Sequence, residues 1–481
     1  MLLKRFYHDG LAQASYLVGC QRTGEAIVID ALRHPEPYLK AAAANDLRIT
    51  QVTETHIHAD YLSGSRELAR RAGARLLLSG EGGPDWLYAF AESDGARILR
   101  HGDRIQVGNV HLDVWHTPGH TPEHLTFVLT DAPAAPQPLG AFTGDFLFVG
   151  DVGRPDLLER AANIAGTMRP GAAQLYDSLL RFTSAYPDYL QLWPGHGSGS
   201  ACGKSLGAVP SSTLGYERMA NWALRSTGRD AFIEEVLAGQ PDPPPYFAAM
   251  KRLNRAGPAL LGASPTAPRL AQDQLSHALA AGRRVVDLRP AATYAQGFVP
   301  GTINLPRNGS LVTRAGWFLD VEQEYYLLSD ANDDQPTRQA LAELTLIGLD
   351  RCAGWFGADV LASARERSTL LQMPQVDANA VAAQIRDGHV TVVDVRNDDE
   401  WAEGHIPGAV HIPLGRIEQR LAEVDTSRPV VVHCKSGGRS SVAASLLRAR
   451  GVADVRNLEG GFVGWRRAGQ PVETEARAGD R

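Results

Sequence analysis

Cysteine is scarce in this chain: four residues in 481, Cys20, Cys202, Cys352 and Cys434, far apart and without CxxC spacing. That argues against a disulfide framework and against a cysteine-rich zinc site, and it fits a reducing compartment. No run of about 18 or more apolar residues occurs, so no segment reads as a membrane span. Positive charge is not in excess either. With 48 Lys+Arg against 54 Asp+Glu the formal net charge is −6, and no basic field exists to hold nucleic acid or an anionic membrane. The first ten residues, MLLKRFYHDG, carry neither an apolar h-region nor a small-residue cleavage site. The expectation is a cytoplasmic protein.

What is present is ordinary globular composition, 44% hydrophobic and 21% charged, in a chain too long for one core. Residues 1–245 mix short β-rich runs (AIVID at 26–30, LDVWHT at 112–117) with helical stretches and many histidines. The Pro-rich stretch GQPDPPPYF at 239–247 breaks that pattern. An internal repeat follows. Val285-Val286-Asp287-Leu288-Arg289 returns 107 positions later as Val392-Val393-Asp394-Val395-Arg396. Gly297-Phe298-Val299-Pro300-Gly301 returns at the same offset as Gly404-His405-Ile406-Pro407-Gly408. Strands alternating with helices predict two copies of a small parallel α/β domain, over 265–366 and 374–475.

The first chemical signal is Thr55-His56-Ile57-His58-Ala59-Asp60-Tyr61 after the strand-like run RITQVTET. Pro118-Gly119-His120, Thr143-Gly144-Asp145 and Trp193-Pro194-Gly195-His196 follow. Each sets a ligand-type side chain on a tight turn at a strand end, where α/β folds build sites. One histidine on a strand is ordinarily a satisfied structural residue; four such elements in this order are specific. The order resembles the metallo-β-lactamase superfamily, which implies an αββα sandwich over residues 1–245. That superfamily usually reads HxHxDH and binds two metals, but here the last position is Tyr61. Ala141–Leu147 and Gly153-Arg154-Pro155-Asp156 narrow the resemblance to its persulfide dioxygenase branch. The resemblance implies one Fe(II) per chain held by His56, His120 and Asp145. It leaves His58, Asp60 and His196 as supporting residues or remnants of a second site. Two imidazoles and one carboxylate leave three iron positions open for a persulfide sulfur and dioxygen. Cys202, in the loop Gly199-Ser200-Ala201-Cys202-Gly203-Lys204 after His196, is a candidate for a substrate-side or redox role. Cys20, in VGCQRTG, reads as part of a hairpin turn.

The second signal is Val431-Val432-His433-Cys434-Lys435-Ser436-Gly437-Gly438-Arg439-Ser440, followed by a helical pattern. A strand, a Gly-containing loop and a helix start put Cys434 in a ring of backbone N–H groups. Those donors, the helix terminus and Lys435 or Arg439 favour a thiolate and stabilise anionic sulfur. With Asp394-Val395-Arg396, His405–Ala409 and Leu458–Phe462, the segment resembles the rhodanese family. That resemblance makes Cys434 the nucleophile that carries a persulfide. Four residues separate Cys434 from Arg439, a smaller cradle than the Cys-x5-Arg loop of related phosphatases. In the first copy Leu327-Leu328-Ser329-Asp330 aligns Asp330 with Cys434, so that copy reads as catalytically dead, with Cys352 in its core.

The whole chain resembles the CstB-type persulfide dioxygenase–rhodanese fusion family. The resemblance implies oxidation of a low-molecular-weight thiol persulfide by O2 to sulfite, then rhodanese transfer giving thiosulfate, a sulfide-detoxifying sequence. Glutathione, coenzyme A and bacillithiol persulfides all fit, and a homo-oligomer is expected. The runner-up is a glyoxalase II-like zinc thioester hydrolase with an appended sulfurtransferase. A third reading is a non-enzymatic sulfur carrier with a structural metal.

Overall fold

A computed structural model describes residues 1–161 and 165–474, and the expected domain end at 475 lies outside them. Two compact units form. The first is Met1–Pro265 with Ala342–Leu349; the second is Thr266–Leu341 with Asp350–Arg481. No helix among the described residues is long and apolar enough to cross a membrane.

The first unit is built on two six-stranded sheets, each laid down in chain order. In the first, Leu2–His8, Gln13–Cys20 and Glu25–Ile29 form an antiparallel meander, and Arg48–Thr53, Arg75–Ser79 and Arg97–Leu99 then add in parallel. The second starts with the antiparallel strands Arg104–Val107, Val110–His116, Leu125–Thr130 and Gly140–Gly144; Gln191–Pro194 joins in parallel.

Strand alternation explains the layering. Tyr16, Val18, Ile27 and Ile29 point inward to meet Leu112, Val114, Phe127 and Phe142 of the other sheet. Their neighbours Leu17, Ala26 and Val28 point outward onto Tyr38, Ala42 and Leu68 of covering helices. On the far side Val128, Ala141 and Leu192 pack on Leu175, Leu179 and Phe232. Strands buried on both faces read as continuous apolar runs, as these do. The result is the expected αββα sandwich. The Pro-rich stretch at 239–247 is no linker: the unit continues through it into the helix Tyr246–Ala256.

The second unit holds the repeat. Its four-stranded parallel sheet is ordered Ile303–Asn304, Arg284–Asp287, Tyr325–Leu328, Cys352–Phe356. Its five-stranded parallel sheet is ordered Gln375–Val376, Val455–Leu458, Val430–His433, Thr391–Asp394, Val410–His411. The copies share a buried brace. Asp287 accepts the Arg289 guanidinium at 2.6–3.0 Å, and Arg289 also donates to the Gly297 carbonyl at 2.9 Å. Asp394, Arg396 and Gly404 repeat the pattern, with the last bond at 2.8 Å. The motif thus ties a strand end to the next turn by charge-assisted hydrogen bonds.

Strand register corrects one alignment. Leu328 pairs with Asp287 as His433 pairs with Asp394, so Ser329, and not Asp330, occupies the position of Cys434. The first copy is two residues longer between its paired strands than the second, which shifts the sequence alignment. The copy still lacks its cysteine. Cys352 opens the strand Cys352–Phe356, half-buried, with its thiol pushed up to about 12 by burial.

The brace generates a stability prediction. Arg289→Met leaves the buried Asp287 unpaired and should cost about 3–5 kcal/mol, whereas pairing it with Asp287→Leu should recover most of the loss. Urea unfolding of the single and double variants checks this.

Candidate functional site

Every element of the histidine motif ends in the same buried region. Beyond Arg48–Thr53, residues Glu54–Tyr61 are all buried. Asp30, at the end of Glu25–Ile29, anchors them: its carboxylate accepts Thr55 N–H at 2.7 Å and Thr55 Oγ1 at 2.9 Å. His56 then faces inward, its Nδ1 on Thr55 Oγ1 at 3.0 Å. His120 is held by Nδ1 on the Arg154 carbonyl at 2.9 Å. Arg154 is in turn fixed by two bonds to Asp156, at 2.8 and 2.6 Å. Asp145 follows Gly144, whose φ is +49°, and a Cβ at Gly144 would collide with Thr55 and His124. The Asp145 N–H donates to His124 Nε2 at 3.2 Å.

These orientations bring the outward atoms together. His120 Nε2 lies 3.6 Å and His56 Nε2 3.9 Å from Asp145 Oδ2, and donor atoms of all three lie within 4.8 Å of one another. His56 Nε2 and both Asp145 oxygens are buried with no hydrogen-bond partner among the described residues. Burial pushes both histidines well below their ordinary range and raises Asp145 to about 6. Two neutral imidazoles and an unsatisfied carboxylate aimed at one point fit a divalent cation.

The other residues of the motif divide. His58 turns away to Asp30, Nε2 to Oδ1 at 3.2 Å. Burial acts against its protonation, yet Asp30, then Asp60 and Glu54, raise it to about 9. Asp60 and His196 stand together at 3.3 Å, and His196 is 3.5 Å from Asp145 Oδ1. With Cys202 they form a second buried group of donor atoms. Burial, then the Asp145 and Asp60 charges, push the Cys202 thiol well up. Tyr61 contributes nothing to either group: its hydroxyl donates to the Asp30 carbonyl at 3.3 Å. Cys20 sits in its hairpin, with Sγ accepting Asn109 N–H at 3.3 Å.

A short helical stretch after the Pro-rich break is legible in the sequence, but sequence reasoning missed that this helix, Tyr246–Ala256, belongs to the site. Asn254 donates to the carbonyls of His58 and Tyr61, both at 2.8 Å, and Tyr246 donates to that of Asp60 at 3.0 Å. Lys251 of the same helix is buried, its Nζ without a hydrogen-bond partner among the described residues and 5.5 Å from the Trp86 ring centre. Burial lowers its pKa, while Glu123, Cys202 and Asp145 act the other way. It lines a cavity of about 1120 Å³ with Ile57, Trp86, Pro122, Arg252 and Arg255. Only the mid-helix placement of a lysine among apolar residues could have signalled this.

In the second unit Cys434 follows Val430–His433 and precedes the helix Gly438–Ala449. Gly437 has φ of +106°, which turns its N–H onto Cys434 Sγ at 3.1 Å; Ser440 Oγ donates at 3.5 Å. Burial would push the thiol up, but the Ser440 hydroxyl and the N–H groups of Ser440, Ser436 and Gly437 bring it below its ordinary value. Arg439 is clamped by Glu400 at 2.5 and 2.7 Å. Lys435 is exposed.

Comparison with known proteins follows this division. Residues 8–196 match the metallo-beta-lactamase superfamily and residues 377–468 the rhodanese-like domain. A crystal structure described as a metallo-beta-lactamase from Staphylococcus aureus subsp. aureus COL is 42% identical. It covers 74% of this chain and 99% of its own, with a TM-score of 0.67. A sulfurtransferase of Allochromatium vinosum is 36% identical over 99 residues, 20% of this chain and 92% of that protein. A hydroxyacylglutathione hydrolase of Nitrosococcus oceani is 34% identical over 183 residues, 38% of this chain; the chain spans only 61% of that hydrolase. With a metal-type donor set in the first unit and a cradled cysteine in the second, the chain belongs to the metallo-β-lactamase superfamily, as a fusion ending in a rhodanese domain.

Proposed function

We propose that the chain is a non-haem Fe(II) persulfide dioxygenase coupled to rhodanese sulfur transfer. The observation that carries this reading is the convergence of His56, His120 and Asp145, with Tyr61 turned to Asp30 where a further imidazole would be. A two-histidine, one-carboxylate set with open positions suits iron rather than a closed zinc site. When bound, iron supplies the redox chemistry by which dioxygen oxidises the outer sulfur of the persulfide. One persulfide, one O2 and one water give one thiol, one sulfite and two protons.

The chain's own residues select and hold the substrate. The apolar wall at Ile57, Trp86 and Pro122 excludes water from the persulfide. The Lys251 ammonium compensates its negative sulfur, and the arginines lining the cavity suit the carboxylates or phosphates of glutathione, coenzyme A or bacillithiol. At the second site the Cys434 thiolate attacks the outer sulfur of another persulfide, and the thiol leaves with the electron pair of the broken S–S bond. Sulfite then takes that sulfur from Cys434 as thiosulfate and the thiolate returns. The Gly437 N–H and the Ser440 hydroxyl hold the anionic sulfur at each stage.

The second group, Asp60, His196 and Cys202, and the hydroxyacylglutathione hydrolase relative favour one alternative, a two-metal thioester hydrolase. Metal content and O2 uptake of anaerobically purified protein given glutathione persulfide separate the two. About one iron per chain with O2 consumption supports the dioxygenase; about two zincs with no O2 uptake supports the hydrolase.

Asp145→Ala should weaken metal binding at least about 100-fold and abolish O2 uptake, while thiosulfate-to-cyanide sulfur transfer at Cys434 persists. Unchanged O2 uptake would overturn the ligand assignment. Cys434→Ser should leave O2 uptake intact and make sulfite accumulate in place of thiosulfate, as ion chromatography would show. Continued thiosulfate output would remove Cys434 from the pathway.

A further inference from the structure

The cysteine-lacking copy is packed against the Cys434 module within the second unit. Its helix Leu311–Phe318 presents Trp317 to Gly415, where any Cβ would overlap the indole ring. Arg284 donates to both oxygens of Glu418, at 2.7 and 2.8 Å. The Asn304 N–H donates to Ser445 Oγ, 2.9 Å away, on the helix that begins beside Cys434. These contacts hold the first copy on the loop at 415–418 and on the helix behind the nucleophile.

Arg314 lies on the same helix three residues before Trp317, so the two side chains share a face. Its Nη2 is 3.5 Å from where a Cβ on Gly438 would stand, at the mouth of the Cys434 cradle. Among the described residues no carboxylate pairs with this guanidinium. Burial lowers its pKa, the Cys434 thiolate raises it and Arg439 lowers it again, so the group is partly desolvated and within the field of the nucleophile. The other cations of the loop are placed differently. Arg439 holds Glu400 with both terminal nitrogens while also interacting with Cys434, and Lys435 is exposed. A half-buried, unmatched guanidinium is costly unless an anion shares the site. Its planar fork matches two oxygens of an oxyanion.

We propose that Arg314, supplied by the cysteine-lacking copy, is the binding residue for the sulfur oxyanion, sulfite or thiosulfate, that exchanges sulfur with Cys434. The inference rests on the sulfur-transfer reading of Cys434 and adds a substrate-binding residue to it. In the forward step the sulfite lone pair attacks the outer sulfur of the Cys434 persulfide. The bond from that sulfur to Cys434 breaks, its electron pair stays on Cys434 as thiolate, and thiosulfate carries the new S–S bond. Arg314 holds sulfite oxygens in line for this attack. The first copy, without a nucleophile of its own, thereby furnishes one wall of the second copy's site.

The test uses the full-length chain with Arg314→Gln and Arg314→Lys. Cys434 is alkylated with anionic iodoacetate and with neutral iodoacetamide, and the Cys434 peptide is quantified by mass spectrometry. In Arg314→Gln the ratio of the iodoacetate to the iodoacetamide rate should fall about tenfold, the size of one lost charge-assisted contact, and Arg314→Lys should restore part of it. KM for thiosulfate with cyanide as acceptor should rise about tenfold in Arg314→Gln, with kcat changing less. A ratio unchanged in the Gln variant, or equally lost in the Lys variant, would overturn the proposal, because a structural role would alter both reagents alike. If the unaltered chain moves no sulfur from thiosulfate, the sulfur-transfer reading fails, while the alkylation ratio still judges Arg314.

Discussion

A buried carboxylate that the protein declines to hydrogen-bond is the constraint on which the first unit turns. Asp145 is fully buried and neither oxygen has a partner among the described residues. Taking such a charge out of water without compensation is among the most expensive acts in a fold. Of the nearby cations, Arg154 is spent on Asp156, and Lys251 acts on Asp145 through its charge, without a hydrogen bond among the described residues. His124, which receives the Asp145 N–H, is held neutral, pushed down to about 3 chiefly by burial. The donors are withheld in a pattern. His56 and His120 each satisfy Nδ1 on a neighbour and leave Nε2 toward Asp145. An imidazole fixed through one nitrogen presents the other as a ligand of defined direction.

The parts of this arrangement that lie on turns after strands are legible in the sequence. PGH and TGD put ligand types beside the glycines that the turns need, HxHxD gathers three at one strand end, and each is short enough to read without knowing what packs on it. Lys251, Asn254 and Arg314 carry no such mark, because a helical residue gains its meaning from the element it faces. The Pro-rich stretch at 239–247 looks like a break for the same reason: proline excludes regular structure locally but does not say whether the chain leaves its unit. The slip between Ser329 and Asp330 is another case. The repeat fixes register at Asp287 and Asp394, yet the connection to the next strand is two residues longer in the first copy. Only backbone pairing carries the register across it.

The two copies also separate what the rhodanese-like fold needs from what its chemistry needs. The Asp–Arg brace survives in both, with the same bond to a glycine carbonyl eight residues on. It therefore belongs to folding. The cysteine survives in one. The N–H ring around Cys434 depends on Gly437 at φ of +106°, a conformation that ordinary side chains resist. At the matching point of the first copy, Ser329 instead spends its hydroxyl on the Ala331 N–H at 3.2 Å, which is a turn and no cradle.

In the proposed reaction the motif residues at each site act on a sulfur atom, and any persulfide or thiosulfate offers the same sulfur. What distinguishes one substrate from another is the rest of its charge, and the residues placed to meet that charge come from outside the motifs. Lys251 and its neighbouring arginines sit on a helix after the last histidine. Arg314 sits on the copy that lacks the cysteine. Chemistry fixed by short motifs and specificity fixed by helices packed over them can vary independently, since a change on the helix leaves the reacting groups in place. If the proposed reaction is right, the choice of thiol lies in the cavity wall at 251–255 and the choice of sulfur-accepting oxyanion at 314.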